Sequence, residues 1–81
     1  MKKKIYTQYE LAQFRGLDST AQRKLCEKIG IRRWKKNVEG RMIYAYSDLE
    51  ASALLTAAGW TIKTVDDEIK LVKDGYIRDV I

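Results

Sequence analysis

Apolar positions in this chain fall into short blocks whose spacing changes along its length. Lys4-Ile5-Tyr6 reads as a short strand, and Thr7-Gln8-Tyr9-Glu10 follows with the spacing of a capping box. In such a box the Thr hydroxyl accepts from the N–H of the Glu, and the Glu carboxylate reaches back to the N–H of the Thr. A first helix is therefore expected over residues 8–15, stopped by Gly16. Asp18-Ser19-Thr20 caps a second helix that runs to Ile29 and stops at Gly30. Ala21, Leu25 and Ile29 recur every four residues, so this stripe is expected to face a core, with Gln22 and Cys26 flanking it.

The period then changes. Ile31, Trp34, Met42, Ile43, Tyr44 and Tyr46 favour strands and surround Asn37-Val38-Glu39-Gly40. This predicts a β-hairpin with residues 37–40 at its tip, docked through Trp34, Tyr44 and Tyr46; the pattern leaves its register open. Ser47-Asp48-Leu49-Glu50 is a second capping box, opening a third helix that Gly59 closes. Residues 60–63 read as extended. Residues 66–74 read as a fourth helix with Val65, Ile69 and Val72 on one face and Gly75 as its stop. Residues 76–81 fit a strand or a last helical turn. The expected fold is one α+β domain over residues 1–81, mostly helical, with a hairpin and an additional C-terminal helix.

Charge adds a direction to this layout. Residues 1–46 hold 12 Lys and Arg against four Asp and Glu, a balance of +8; residues 47–81 hold four against seven, −3. The basic half is the candidate surface for a polyanion. The rival reading is a solvated basic face, or a module whose basic face meets an acidic protein.

Candidate chemistry removes more than it adds. The chain has no histidine and one cysteine, Cys26, so the commonest general base and any cysteine cluster are missing. No Ser/His/Asp set or phosphate-binding glycine loop is present, and no enzyme, cofactor, metal or small-molecule substrate is expected. Asp66-Asp67-Glu68 reads as an acidic first turn of the fourth helix rather than a metal site. Cys26 reads as a small core filler. Apolar runs are only a few residues long, and Met1-Lys2-Lys3-Lys4 is not followed by an apolar signal segment. The expected location is cytoplasmic, and Lys2-Lys3-Lys4 suits either an arm on phosphates or a solvated terminus.

Two short helices joined by a glycine turn form a helix-turn-helix, whose second helix enters the DNA major groove. Opposite the Ala21 stripe stand Ser19, Thr20, Arg23 and Glu27, flanked by Lys24 and Lys28. Arg23 is the candidate reader of a guanine edge. Arg32, Arg33, Lys35, Lys36, Asn37 and Arg41 surround the hairpin tip, where basic side chains meet the backbone or the minor groove.

On these pieces residues 4–58 resemble the winged helix-turn-helix of MerR-type and phage excisionase-type DNA-binding proteins. The pieces are Leu11-Ala12, Gly16-Leu17, the Asp18-Ser19-Thr20 cap, the basic hairpin and Tyr46-Ser47-Asp48-Leu49-Glu50. Arg15 and Gln22 stand where the helix-turn-helix pattern has apolar residues, which leaves Arg23, Glu27 and Gln22 open as base readers. The resemblance implies sequence-specific binding of double-stranded DNA, as a phage or mobile-element regulator or an excisionase-like factor in a bacterial or phage-infected cell, associated with the nucleoid. The DNA-binding part of a replication initiator or origin-specific nuclease is the alternative. The acidic residues 47–81 are expected to face away from DNA; residues 59–81 form a C-terminal extension in which Tyr76, Ile77, Val80 and Ile81 either cover the core or join a second copy as a homodimer.

Overall fold

The structure, a computed structural model, describes residues 3–80. Ile81, Met1 and Lys2 lie outside the described residues, and with them part of the expected tail and basic arm. Strand β1 (Ile5–Thr7) runs directly into helix α1 (Gln8–Ala12). The turn between them is the expected capping box: the Glu10 N–H donates to Thr7 Oγ1 at 3.1 Å, and the Thr7 N–H donates to Glu10 Oε1 at 3.0 Å.

Helix α1 ends at Ala12, three residues short of the expected Arg15. Backbone bonds from Gln13 to Glu10, Phe14 to Leu11 and Leu17 to Phe14 replace it, each spanning three residues. Three-residue spacing eclipses side chains along one line. Leu11, Phe14 and Leu17 thus enter the core together, all fully or almost fully buried.

Helix α2 (Ser19–Ile29) has Asp18 as its N-cap, accepting from the Ala21 N–H at 2.8 Å, and ends on Gly30 with φ +81°. Its buried face differs from the expected stripe by one position. Gln22 and Cys26 are buried, Ala21 and Leu25 lie at the margin, and Ile29 is 39 % exposed. The physical cause is the short turn after α1, which brings Gln22 under the end of that turn.

Strands β2 (Lys35–Val38) and β3 (Arg41–Ser47) form the hairpin, and β1 adds to the other edge of β3 in the order β1-β3-β2. Glu39 and Gly40 make the two-residue turn with φ +51° and +81°, both positive as a type I′ hairpin requires. That turn pairs Lys35 with Tyr44, Lys36 with Ile43 and Asn37 with Met42. Of the three aromatics expected to dock the hairpin, Tyr46 is buried and Tyr44 packs against the core, but Trp34 is 58 % exposed. Helix α3 (Asp48–Ala57) starts at the Ser47–Glu50 capping box and carries Ala51, Leu54 and Leu55 into the core.

Beyond Gly59 the chain is not helical. Strands β4 (Thr61–Val65), β5 (Glu68–Lys73) and β6 (Tyr76–Asp79) form an antiparallel meander. The mostly helical expectation is therefore corrected: among the described residues the fold is α+β with two three-stranded antiparallel sheets and three helices, strand slightly exceeding helix at 37 % against 33 %. Asp66 and Asp67 take φ +51° and +62°, and Asp74 and Gly75 take +48° and +85°. Each pair is a two-residue turn, so Asp66-Asp67-Glu68 is a hairpin corner and not the acidic start of a helix. Val65, Ile69 and Val72 have helical spacing, but in the meander they do not share a face: Val65 and Val72 lie on one side of the sheet and Ile69 on the other.

The meander is fastened to the turn after α1. Leu71 is buried, and Trp60 meets Phe14 edge-on with ring centres 5.4 Å apart. The Trp60 indole N–H donates to the Arg15 carbonyl at 2.9 Å. Arg78 donates to the Gln13 carbonyl at 2.9 Å while lying over the Phe14 ring, and Arg15 donates to the Tyr76 hydroxyl at 2.8 Å. Lys73 donates to the Ala58 carbonyl at the end of α3. The tail thus covers the core in part, with Val80 packed against it and Tyr76 and Ile77 about half exposed. No helix among the described residues is long and apolar enough to cross a membrane.

Candidate nucleic-acid interface

Gln22 decides how α2 sits. Its side chain is 1 % exposed, which costs free energy unless every polar atom is bonded. The amide nitrogen donates to the carbonyls of Gln8 and Leu17, both at 2.9 Å. The amide oxygen accepts from the Tyr46 hydroxyl at 3.2 Å. One side chain therefore ties α2 to the start of α1, to the turn and to β3. Gln22 is removed as a base reader, and its polar character in an apolar position has a structural cause.

With Gln22 inward, Ser19, Thr20, Arg23, Lys24, Glu27 and Lys28 are all exposed along the outer face of α2. Arg23 and Glu27 approach to 3.7 Å across one helical turn. An exposed pair of that kind contributes little to stability and leaves the guanidinium available.

The hairpin register divides the wing residues between two faces. Tyr46 points to the face on which it bonds Gln22 of α2. Strand alternation puts Tyr44 and Met42 on that same face, and cross-strand pairing puts Lys35 and Asn37 beside them. Lys36 and Arg41 belong to the opposite face with Ile43. Lys36 donates to the Ala45 carbonyl at 3.4 Å, and Arg41 stacks over Tyr9 of α1 at 5.6 Å. Asn37 accepts from the Gly40 N–H at 3.0 Å, so its oxygen is used in the turn.

Aromatic rings hold the basic side chains in place. Arg33 lies 4.2 Å over the Tyr44 ring and Lys35 5.6 Å, while Arg32 lies 5.1 Å over Trp34. Such contacts are attractive through the ring quadrupole and restrict the long cationic chains. Arg33 is half-buried and also borders Tyr46 and Cys26. Burial pushes the Tyr46 hydroxyl up to about 12, with Arg33 opposing the rise. Burial likewise raises the Cys26 thiol, which is consistent with a packed and unreactive side chain.

Several other cations are tied to neighbouring groups of the fold, while Lys4 and Lys63 are exposed. Lys3 pairs with Glu10, whose burial raises its pKa but whose bonds to Lys3 and Thr7 outweigh this and lower it. Lys70 pairs with Asp79 and Glu68, which raises its pKa further above the ordinary lysine value. Lys73, Arg15 and Arg78 hold the meander. Arg23, Lys24 and Lys28 on α2 and Arg32, Lys35 and Arg41 at the wing stand exposed. Among the described residues no group of three potential metal ligands converges.

Sequence reasoning missed Met42, which is 61 % exposed on the α2 side of the wing, and Tyr9 as the support of Arg41. The signal was present for Met42: Glu39-Gly40 as a two-residue turn fixes the register, and Met42, Tyr44 and Tyr46 then share a face. The chain matches no protein-family model, no curated protein and no solved structure.

Proposed function

We propose that residues 4–58 bind double-stranded DNA in the manner of a winged helix-turn-helix, with α2 in the major groove and the β2–β3 hairpin against the adjoining backbone or minor groove. The carrying observation is a set of outward cations on two neighbouring parts of the chain. Arg23, Lys24 and Lys28 stand exposed on α2 with Ser19 and Thr20, and Arg32 and Lys35 stand exposed at the wing, with half-buried Arg33 over the Tyr44 ring. A B-form major groove admits one α-helix, and phosphates on both sides of it meet the flanking cations. The resemblance to MerR-type and excisionase-type proteins supports a sequence-specific regulator or recombination factor within this reading.

Selection of preferred sites from a random duplex pool tests it, followed by titration of the selected and scrambled duplexes. Arg23→Ala is expected to flatten the preference and to weaken the preferred site by about 1–3 kcal/mol, the value of a bidentate guanine contact. A wild-type chain that binds every duplex equally ends the sequence-specific reading; an unchanged preference in the variant moves recognition off Arg23.

A further inference from the structure

We propose that Met42 is an apolar wedge that enters the DNA minor groove and unstacks a base step, so that the hairpin deforms the duplex. The inference rests on the DNA-binding reading above and names what one face of the wing does to the partner. Four observations lead to it. Met42 is 61 % exposed, whereas the other exposed residues of β2 and β3 are Lys35, Asn37 and Arg41. It lies directly across from Asn37 and on the same face as Lys35, Tyr44 and the covered Tyr46, hence on the side of α2. The turn at Glu39-Gly40 has only two residues, so Met42 stands close to the narrow end of the hairpin. The ring of Tyr44, two residues further along the same face, holds Arg33 and Lys35, which places two cations on the hairpin face that carries Met42.

These features fit one kind of partner. A two-stranded ribbon with a two-residue turn presents a narrow edge to a groove. The flanking cations match the phosphates that line it, and an apolar chain fits between base steps where a charged one does not. Minor-groove proteins use Met, Leu, Ile, Phe or Pro in this role. Most of the Met42 surface faces water in the free protein, and that water leaves only when a ligand covers it. Pyrimidine–purine steps open most readily and are the expected site of entry.

The test uses the full chain and a duplex with a central TA step, carrying 2-aminopurine at the adenine and a donor–acceptor dye pair at its ends. Wild type is expected to raise 2-aminopurine emission and to shorten the end-to-end distance on saturation. Met42→Ala is expected to leave both signals at the free-duplex level while still binding, with an unchanged salt dependence because no charge is removed. Met42→Leu is expected to retain both signals. Melting of the variants alone checks that the exposed substitution leaves the fold intact. Binding by the wild type with neither signal overturns the wedge and leaves DNA binding standing, as does a Met42→Ala variant with both signals undiminished. Failure of the wild type to bind any duplex overturns both readings. Tighter binding to the single strand than to the duplex overturns the wedge in favour of base stacking.

Discussion

Gln22 makes three hydrogen bonds from a fully enclosed position, to Gln8, Leu17 and Tyr46. Removing it leaves buried partners without replacements, which costs about 1–3 kcal/mol before any cavity is counted. Gln22→Ala is expected to lower the melting temperature by about 10 °C in a domain of this size, and a scan that shows no shift refutes the clamp. Tyr46 at the other end of that bond sets an alkaline limit. Its ordinary value is 10, and burial pushes it up to about 12. Below pH 10 both folded and unfolded chains hold the neutral phenol, so its contribution to stability is fully present. From pH 10 upwards the unfolded chain ionises first, and stability declines until the folded phenol ionises near pH 12. The difference amounts to about 2–3 kcal/mol. Urea unfolding of wild type and Tyr46→Phe from pH 8 to 12 is expected to show a steeper alkaline loss in the wild type.

Elements whose ends carry their own chemistry are legible in the sequence. The boxes at Thr7–Glu10 and Ser47–Glu50 and the Asp18 cap with Gly30 fix helix ends through bonds a few residues apart. The hairpin tip is legible for the same reason. The face of α2 is not, because a polar Gln occupies the core and only partners 5 to 24 residues away make that tolerable. The C-terminal segment misleads because Val65, Ile69 and Val72 satisfy a helical period while Asp66-Asp67 and Asp74-Gly75 are turn pairs. Of the candidate site, the α2 residues are outward as expected, whereas the split of the wing into two faces depends on a register that composition does not carry. Substitution distinguishes strand from helix here. Asp66→Asn with Asp67→Gly suits a type I′ turn and relieves the positive φ at both positions. It is expected to stabilise the chain by about 1 kcal/mol. In a helix the same pair destabilises, so a lower denaturation midpoint contradicts the meander.

At the scale of the molecule, the proposed DNA-binding face and the meander use their cations differently. Lys24 and Arg32 are exposed on α2 and at the wing base, whereas Lys70 is held by Asp79 and Glu68 on the meander. Removing one cation from a phosphate reduces the slope of log affinity against log salt by about 1. Lys24→Ala and Arg32→Ala are each expected to reduce it so, and Lys70→Ala to leave it unchanged. Equal slopes in all three, measured by fluorescence anisotropy over a salt series, contradict this division.

The two sheets also differ in how far apart in the chain their partners lie, and that difference sets an order in time. Every pairing in the meander joins strands across a two-residue turn, and so does β2 with β3. Hairpins of this kind close in about 1–10 μs. The pairing of Tyr6 with Tyr46 instead closes a loop of some forty residues, and Gln22 bonds to Tyr46 across a separation of 24. Long loops pay their closure entropy before any contact is made. The edge strand β1, only three residues long, is thus the piece on which the folding rate depends. The chain has no proline to add a slow isomerisation, so stopped-flow refolding is expected as a single phase, slowed by Tyr6→Ala and hardly altered by substitutions at the Asp74-Gly75 corner.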